Sequence, residues 1–266
     1  MKIAIQTKFI DERDYPRKNL KYYSSAGPKK RLTDKLLKTC KGYCMYCGKK
    51  VVIERDYRFQ LEHTVDKAGN INQKVDCNEV LKHCKYNLAI SCSECNQVCK
   101  KMVDKVDLGK LKSLEKCPSI CTEICKNYNE LKDEYEKMNA IILQPLGNSE
   151  YGDNAIVYNL LDHLYEPDEK IKKDDSIFFI QNHIIRFKLN GERFSEAIVS
   201  ISSRAVDFID SGVSKTDDLF RLLKGEAFEN IIGEDFVCFL EKYFSDSSCK
   251  RIKNFCSLLV ILDSII

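Results

Sequence analysis

The chain has 266 residues, of which 44% are hydrophobic and 31% charged, and its formal net charge is +3. This composition is that of an ordinary globular protein, and it excludes an intrinsically disordered chain, a collagen-like chain and a multi-pass membrane protein. At about 150 residues per domain, the length predicts one large domain or two small ones.

The small net charge conceals two halves of opposite charge. Residues 1–140 carry 29 Lys and Arg against 19 Asp and Glu, whereas residues 141–266 carry 14 against 21. A basic half joined to an acidic half predicts two separate roles, with a polyanion as the partner of the first half.

Cysteine use indicates the compartment and a bound metal. Of the 14 cysteines, 11 lie before residue 126. The first residues contain no apolar run of signal-peptide length, and the apolar stretch over 255–266 is too short to span a bilayer. We therefore expect a cytoplasmic protein without membrane contact. In that compartment thiols stay reduced, and closely spaced cysteine pairs bind metal.

The first predicted helix lies in a basic stretch. Residues 17–50 hold eleven basic residues against one acid, Asp34. Pro28 predicts the start of a short helix that ends near Cys40. Interleaved tyrosines suit stacking on bases and the basic residues suit phosphate contact, whereas the alternative is a solvated surface. The tyrosines concerned are Tyr15, Tyr22, Tyr23, Tyr43 and Tyr46.

Short strands and then a long helix are predicted next. Residues 51–62 predict a strand pair, in which Tyr57, Phe59 and Leu61 alternate with polar residues. Residues 86–91 predict a further strand that runs into a turn and a helix. Apolar residues spaced by three and four predict a long helix over 118–142.

The stretch over 144–148 contains Pro and Gly and marks the predicted domain boundary. It separates a basic domain over 1–143 from an acidic domain over 144–266. The second domain is predicted to be mostly helical, with a strand pair near 176–181 and 183–191. Its buried candidates are Phe220, Leu223, Phe236, Phe239, Leu240 and Phe244.

Two CxxC pairs carry the clearest chemical signal. Cys44 and Cys47 enclose Met-Tyr, and Cys92 and Cys95 enclose Ser-Glu. Two such turns can place four thiolates tetrahedrally around one Zn²⁺, which leaves no open coordination position and makes the site structural. The alternatives are buried reduced thiols or a redox dithiol, although a redox pair needs no second CxxC.

The residues between and after the two pairs form an ordered set. In chain order the segments are CMYC, LEHTVDK, YNLAIS and CSECN. Over about residues 28–105 this order resembles the HNH nucleases of the ββα-metal endonuclease superfamily. In that family a CxxC, an acid–His pair, Asn-Leu, a second CxxC and a His or Asn follow one another. The resemblance implies an α+β fold with an N-terminal zinc-stapled ββα-metal (HNH) nuclease domain, a long linking helix and a mostly helical C-terminal domain.

The resemblance also implies roles for four residues. His63 is the general base, because a neutral imidazole can accept a proton near pH 7. Glu62 and Asn96 offer hard oxygen ligands to one Mg²⁺ or Mn²⁺, which would neutralise charge on the scissile phosphate. Asn87 would orient the imidazole. The predicted activity is metal-dependent hydrolysis of phosphodiester bonds in DNA, with RNA as an open alternative.

Each of these residues also has a simpler interpretation. An exposed Glu-His pair is usually ordinary surface, Asn87 alone suits a turn, and Asn96 alone suits a helix N-cap. The chain departs from the family pattern, since Asp66 stands where relatives often carry Pro, and 23 residues separate His63 from Asn87. The competing hypothesis is a zinc-stabilised nucleic-acid-binding or scaffold protein without catalysis.

Two further sets of residues complete the prediction. Phosphate contact is predicted for Lys29, Lys30, Arg31, Lys49, Lys50, Lys67, Lys100 and Lys101. A second metal site is an alternative to core packing for Cys84, Cys99, Cys117, Cys121 and Cys125. Core packing is favoured, because Cys121 falls on the apolar face of the long helix and a buried free Cys packs as a small hydrophobe.

The acidic half predicts a protein partner, since it carries no catalytic motif. Small HNH proteins with a C-terminal extension resemble the nuclease subunits of antiphage defence systems, and the EH…K and NL…C..CN pattern is similar to the Septu-type group. In that group an HNH protein pairs with an ATPase. The resemblance implies an ATPase that gates cleavage, because an unregulated nuclease would damage its own genome. Restriction-like and homing roles stay open.

Overall fold

A computed structural model describes residues 1–4, 22–24, 26–64, 82–100 and 156–265. The chain divides into two compact units. The cysteine-rich unit comprises Lys8–Cys47 and Val51–Asn148, and the C-terminal unit comprises Met1–Thr7, Gly48–Lys50 and Ser149–Ile266. The N-terminal strand and a three-residue segment of the basic half thus belong with the C-terminal residues. The helix predicted over 118–142 and the boundary predicted over 144–148 lie outside the described residues.

Helix α1, Ala26–Thr39, opens the described part of the cysteine-rich unit. It confirms the helix predicted from Pro28 to Cys40. Leu32 and Leu36 are one helical turn apart and fully buried, so one face of α1 packs inward. The predicted strand pair follows as β2, Val52–Ile53, and β3, Asp56–Tyr57, which are antiparallel.

Strands β4, Gln60–His63, and β5, Leu88–Ser91, form a two-stranded antiparallel ladder that contains the Glu62-His63 pair. The register pairs Glu62 with Ala89 and His63 with Leu88. Strand β5 confirms the strand predicted over 86–91, and all four of its residues are buried. The second strand of the predicted pair is divided in the structure, because Tyr57 ends β3 and is 64% exposed, whereas Gln60–His63 form β4 and pair with β5.

Two short helical turns flank β5. A 3₁₀ turn over Lys85–Asn87 leads into the strand, and a π-helical turn over Cys95–Cys99 follows it. The second turn stands where the sequence predicts a turn followed by a helix. The second CxxC begins directly after β5, and its last cysteine, Cys95, is the first residue of this turn, so the ladder and the cysteines adjoin in the chain.

The C-terminal unit combines a small sheet with a helical layer. Strands β1, Lys2–Ala4, β6, Ile156–Asn159, and β7, Leu164–Pro167, form an antiparallel sheet in the order β1-β6-β7. The helices are α2, Asp174–Arg186, α3, Glu192–Asp210, α4, Thr216–Gly225, α5, Ile231–Phe244, and α6, Cys249–Asp263. Helix α3 packs against α4, α5 and α6, while α5 contacts β1 and α2 contacts β7.

The strand pair predicted near 176–181 and 183–191 was wrong, because helix α2 covers most of that region. Asp174 and Asp175 lie in its first turn, where carboxylates interact favourably with the helix dipole. Phe179, Ile180 and Ile184 are buried at helical spacing, so the apolar run is one face of a helix. The six buried candidates predicted for this half are all confirmed as buried.

The segment Gly48–Lys50 is attached to the start of α5. The Lys50 N–H donates to the Glu229 carbonyl oxygen at 2.7 Å, and the Ile231 N–H donates to the Gly48 carbonyl oxygen at 2.9 Å. Gly48 has a φ of +72°, and a Cβ there would lie 2.7 Å from Asn230 Oδ1. Only glycine suits this position, since it tolerates both the positive φ and the close approach. In the part of the chain that the structure describes, no helix has the length and apolarity needed to cross a membrane.

Candidate metal centre and the Glu62–His63 site

The four cysteines of the two CxxC pairs are buried and form a cluster that could hold a metal ion. The Sγ atoms of Cys44, Cys47, Cys92 and Cys95 all lie within 4.8 Å of one another. The Cys47 and Cys92 sulfurs are 3.9 Å apart. Tetrahedral Zn²⁺ with Zn–S bonds of about 2.3 Å places its sulfur ligands about 3.8 Å apart. The cluster therefore fits a zinc ion held by four thiolates.

Backbone hydrogen bonds and the neighbouring thiols prepare the cluster for a cation. The Cys92 N–H donates to Cys44 Sγ at 3.3 Å, and the Cys95 N–H donates to Cys92 Sγ at 3.4 Å. Hydrogen bonds with the surrounding thiols, that of Cys44 first, lower the pKa of Cys92 and raise the pKa of Cys95. Because thiolates are the metal ligands, a bound cation would displace the protons that the thiols carry.

The first CxxC turn also holds strand β5 and Glu62. The Met45 N–H donates to the Ile90 carbonyl oxygen at 3.0 Å, and the Ile90 N–H donates back to Met45 Sδ at 3.3 Å. The hydroxyl of Tyr46 donates to Glu62 Oε1 and lies 3.3 Å from Thr64 Oγ1. The two residues between the cysteine ligands therefore connect the metal centre to both strands of the ladder.

Glu62 is deeply buried and is paired with a lysine. Its side chain is 1% exposed, and that of Lys100 is 10% exposed. The Lys100 ammonium donates to Glu62 Oε2 and to the backbone carbonyl oxygen of His63. Because a buried carboxylate is stable only when it is paired or hydrogen bonded, Lys100 and Tyr46 supply the partners that a buried Glu62 carboxylate requires.

The imidazole of His63 is buried on the other face of β4, since successive strand residues point to opposite sides. Its side chain lies against Tyr23, with ring centroids 4.8 Å apart. His63 Nε2 is 3.0 Å from the Lys82 carbonyl oxygen. A carbonyl oxygen only accepts, so Nε2 carries the proton in this bond. Proton acceptance by the neutral ring therefore falls to Nδ1.

Asn87 lies at the junction that fixes the register of the ladder. It is completely buried at the end of the 3₁₀ turn. Its carbonyl oxygen accepts from the Thr64 N–H at 2.8 Å, and its own N–H donates to the Cys84 carbonyl oxygen at 3.1 Å. The main chain of Asn87 thus holds the end of β4 directly after His63. The predicted role of its side chain, orientation of the imidazole, stays a prediction.

The two oxygen ligands expected for a catalytic cation have different partners in this structure. The side-chain amide of Asn96 donates to Gln60 Oε1 at 2.6 Å, whereas the Glu62 carboxylate contacts Tyr46 and Lys100. Gln60 and Glu62 share one face of β4, and Asn96 and Lys100 are four residues apart. The segment after the second CxxC therefore lies along this face, where the Asn96 amide contacts Gln60 and the Lys100 ammonium contacts Glu62.

The predicted phosphate-binding residues fall into separate groups. Lys30 and Arg31 are exposed on α1, and the Lys29 ammonium lies 4.8 Å from the centroid of the Tyr23 ring. Lys49 and Lys50 belong to the C-terminal unit. Lys100 forms an ion pair with Glu62, and Lys67 and Lys101 lie outside the described residues. Among the described members of this set, only Lys30 and Arg31 combine an exposed side chain with membership of the cysteine-rich unit.

The stacking role predicted for the tyrosines was wrong for three of them. Tyr22, Tyr43 and Tyr46 are at most 4% exposed, so their rings belong to the core and cannot stack on bases. Tyr23 is partly exposed but packs against His63. Tyr15 lies outside the described residues.

The other cysteines of this unit form no second metal centre among the described residues. Cys84 and Cys99 are buried, and among the described residues the four-cysteine cluster is the only group of potential metal ligands. This agrees with the favoured interpretation of core packing for these two. Cys117, Cys121 and Cys125 lie outside the described residues.

Tyr46 and the pairing of Lys100 were missed by sequence reasoning. The signal for Tyr46 was its place inside the first CxxC, between two cysteines whose positions a bound metal would fix. Lys100 was visible as the residue one helical turn after Asn96. Neither spacing, however, identifies Glu62 as the common partner, because that contact depends on tertiary packing.

Comparisons with protein-family models, with curated proteins and with solved structures found no match for this chain.

Proposed function

We propose that this chain is a metal-dependent endonuclease that hydrolyses phosphodiester bonds of DNA at the Glu62–His63 end of strand β4. The observation that carries the proposal is that three features lie next to one another around strands β4 and β5. An adjacent carboxylate and imidazole end one strand, the partner strand leads directly into a four-cysteine cluster, and the following helical turn packs back on the carboxylate.

The chemical fit lies in the types of group that meet there. Hydrolysis of a phosphodiester needs a base for the attacking water, and His63 Nδ1 can serve because Nε2 is occupied as a donor. It also needs positive charge near the leaving oxygen. A divalent cation at Glu62 would supply that charge when bound. The exposed Lys30 and Arg31 on α1 offer further contacts to the DNA backbone.

The second candidate function is zinc-stabilised nucleic-acid binding or scaffolding without catalysis. A specific observation favours it: Glu62 already pairs with a lysine, and Asn96 already donates to Gln60. A site whose acidic ligand is neutralised by the protein itself has no requirement for a divalent cation. The two functions differ in whether the Glu62 carboxylate becomes available to a metal.

Plasmid cleavage distinguishes the two functions. Zinc-loaded wild-type protein and His63→Ala are incubated with supercoiled plasmid and Mg²⁺ or Mn²⁺, with and without a chelator of the divalent ion. We expect wild type to nick the plasmid in a metal-dependent manner and His63→Ala to be inactive. Equal nicking by both proteins would contradict the proposal, as would the absence of nicking by wild type both alone and with its partner.

We further propose that the acidic C-terminal half, 144–266, binds a protein partner that gates cleavage, and that this partner is an ATPase of an antiphage defence system. The support is the excess of acidic residues in this half and the absence of a catalytic motif in it. The isolated chain would then cleave weakly and the complex strongly. Strong, indiscriminate cleavage by the isolated chain would exclude gating.

A further inference from the structure

The environment of the Lys100 ammonium has the composition of a cation site. Two oxygen atoms converge on this nitrogen, Oε2 of Glu62 and the backbone carbonyl oxygen of His63. A carboxylate oxygen together with a carbonyl oxygen is a donor set that hard divalent cations prefer. The Lys100 ammonium thus lies where the two oxygen atoms could bind a metal ion.

The site is built rather than incidental. Glu62 is 1% exposed, and its second oxygen is fixed by the Tyr46 hydroxyl. The His63 carbonyl is held in place because the next residue, Thr64, donates its N–H to Asn87. The two oxygens are therefore positioned by the ladder and by the first CxxC turn, and Lys100 is the only group of this set on a long flexible side chain.

We propose that Lys100 and a divalent cation compete for one site, formed by Glu62 Oε2 and the His63 carbonyl oxygen. The cation binds there only when the ammonium leaves, so Lys100 is a built-in inhibitor of metal loading. This inference rests on the proposed function in naming the cation, and it differs from the family-based expectation in placing the His63 carbonyl, rather than Asn96, beside Glu62.

Electrostatic repulsion makes the Lys100 ammonium and the divalent cation exclude each other. Two cations cannot share one buried carboxylate oxygen, because like charges repel strongly where water is excluded. DNA would relieve the inhibition, since a backbone phosphate offers the displaced ammonium a new anionic partner. Cation binding and DNA binding would then favour each other, and by linkage each would raise the affinity for the other by the same factor.

Manganese binding tests the competition directly. Zinc-loaded wild type, Lys100→Met and the control Lys224→Met are titrated with Mn²⁺, and free Mn²⁺ is followed by electron paramagnetic resonance. Lys224→Met makes the same substitution in the exposed pair with Glu241 of the C-terminal unit. We expect Lys100→Met to bind Mn²⁺ at least about tenfold more tightly than wild type and Lys224→Met to match wild type. Addition of Glu62→Gln to Lys100→Met should abolish the gain.

Unchanged or weaker Mn²⁺ binding by a folded Lys100→Met protein would overturn the proposal. If that variant does not fold, acetylation of lysines in wild type decides, with mass spectrometry as the readout. Saturating Mn²⁺ in the absence of DNA should increase acetylation of Lys100 severalfold, and no increase would overturn the proposal. Neither readout requires cleavage, so tighter Mn²⁺ binding by Lys100→Met, with no plasmid nicking by wild type either alone or with its partner, would retain this inference and reject the nuclease.

Discussion

Both units bury polar side chains, but among the described residues only the cysteine-rich unit contains a four-cysteine cluster. Its buried charged and polar side chains include Glu62, His63, Lys85 and Asn87. The helices of the C-terminal unit surround apolar side chains such as Phe236, which is completely buried. Burial of a polar group costs free energy unless a partner is present, whereas burial of apolar surface is favourable by itself.

The difference indicates where chemistry can occur and what holds each unit together. A unit that buries a carboxylate, an imidazole and a lysine needs an additional source of stability, and a bound zinc ion can supply it. The helical unit also buries polar side chains, His183 and Asp235 among them, but it places them beside apolar side chains of its amphipathic helices. We therefore expect metal removal and core mutation to affect the two units separately.

Loss of zinc should have the largest effect. Cys95→Ser removes one ligand of the buried cluster, and structural zinc sites contribute on the order of 10 kcal/mol to folding. We expect the variant to lose its zinc and the cysteine-rich unit to unfold, while the helical unit keeps its structure. Zinc analysis combined with limited proteolysis measures both effects.

The exposed Cys238 offers a control for that experiment. Cys238→Ser changes the same atoms at a site outside the cluster, and it should retain one zinc ion per chain. Full zinc content and unchanged proteolysis in Cys95→Ser would show that the cluster is not a metal centre.

Truncation of the apolar core should have the next largest effect. Phe236 is fully buried and lies 6.3 Å, centroid to centroid, from Phe239. Phe236→Ala should lower the free energy of unfolding by about 3–5 kcal/mol, through lost burial and the cavity left behind. Urea denaturation measures this change. Zinc content should not change, and a loss of zinc in Phe236→Ala would indicate that the two units do not fold independently.

The matched control is Phe178→Ala on α2, where the ring is 52% exposed. This variant should stay within about 0.5 kcal/mol of wild type. A cost as large as that of Phe236→Ala would mean that Phe178 is covered in the folded protein.

Acid should destabilise the C-terminal unit through His183. Burial, followed by the neighbouring charge of Arg186, lowers the pKa of His183 from 6.5 to about 3. Between these two values the unfolded chain binds a proton that the folded chain does not. The contribution of neutral His183 to the free energy of unfolding is therefore fully present above pH 6.5. It falls by about 1.4 kcal/mol per pH unit as the pH decreases towards 3.

A comparison of wild type with His183→Gln isolates this contribution, since both proteins share any acid-induced loss of zinc. Urea denaturation at pH 7.5 and at pH 5.5 should show a smaller decrease in stability for the variant. The same decrease in both proteins would mean that His183 is protonated in the folded state.

The smallest effect is expected at a surface ion pair. Lys224 Nζ lies 2.7 Å from Glu241 Oε1, and both side chains are more than 40% exposed. A double-mutant cycle with Lys224→Met and Glu241→Gln should give a coupling free energy below about 1 kcal/mol, and added salt should lower it further. A coupling of several kcal/mol would show that the pair is shielded from water.

Local patterns sufficed where one element or one ligand set decides the structure. Pro28 predicted the start of helix α1, and the apolar residues of 86–91, just before the second CxxC, predicted β5. The four cysteines were predictable as a cluster, because their paired spacing is a requirement of tetrahedral coordination. In these cases the physical constraint lies within a few neighbouring residues.

Tertiary context decided the remaining features. The run around Phe179 and Ile184 is rich in β-branched and aromatic residues, which favour strands, yet it forms helix α2 because its buried positions have helical spacing. The attachment of Gly48–Lys50 to α5 and the pairing of Lys100 with Glu62 join residues distant in sequence. No local pattern in the sequence contains that information.

Single-turnover cleavage tests the central claim that Glu62 and His63 form a hydrolytic site. An end-labelled DNA duplex is mixed with excess zinc-loaded wild type, His63→Ala or Cys238→Ser in Mn²⁺, together with the partner protein if wild type alone is inactive. We predict cleavage by wild type and Cys238→Ser at equal rates, and a decrease of at least about 100-fold for His63→Ala, as expected for loss of a general base. Cleavage by His63→Ala at the wild-type rate would contradict the proposed site.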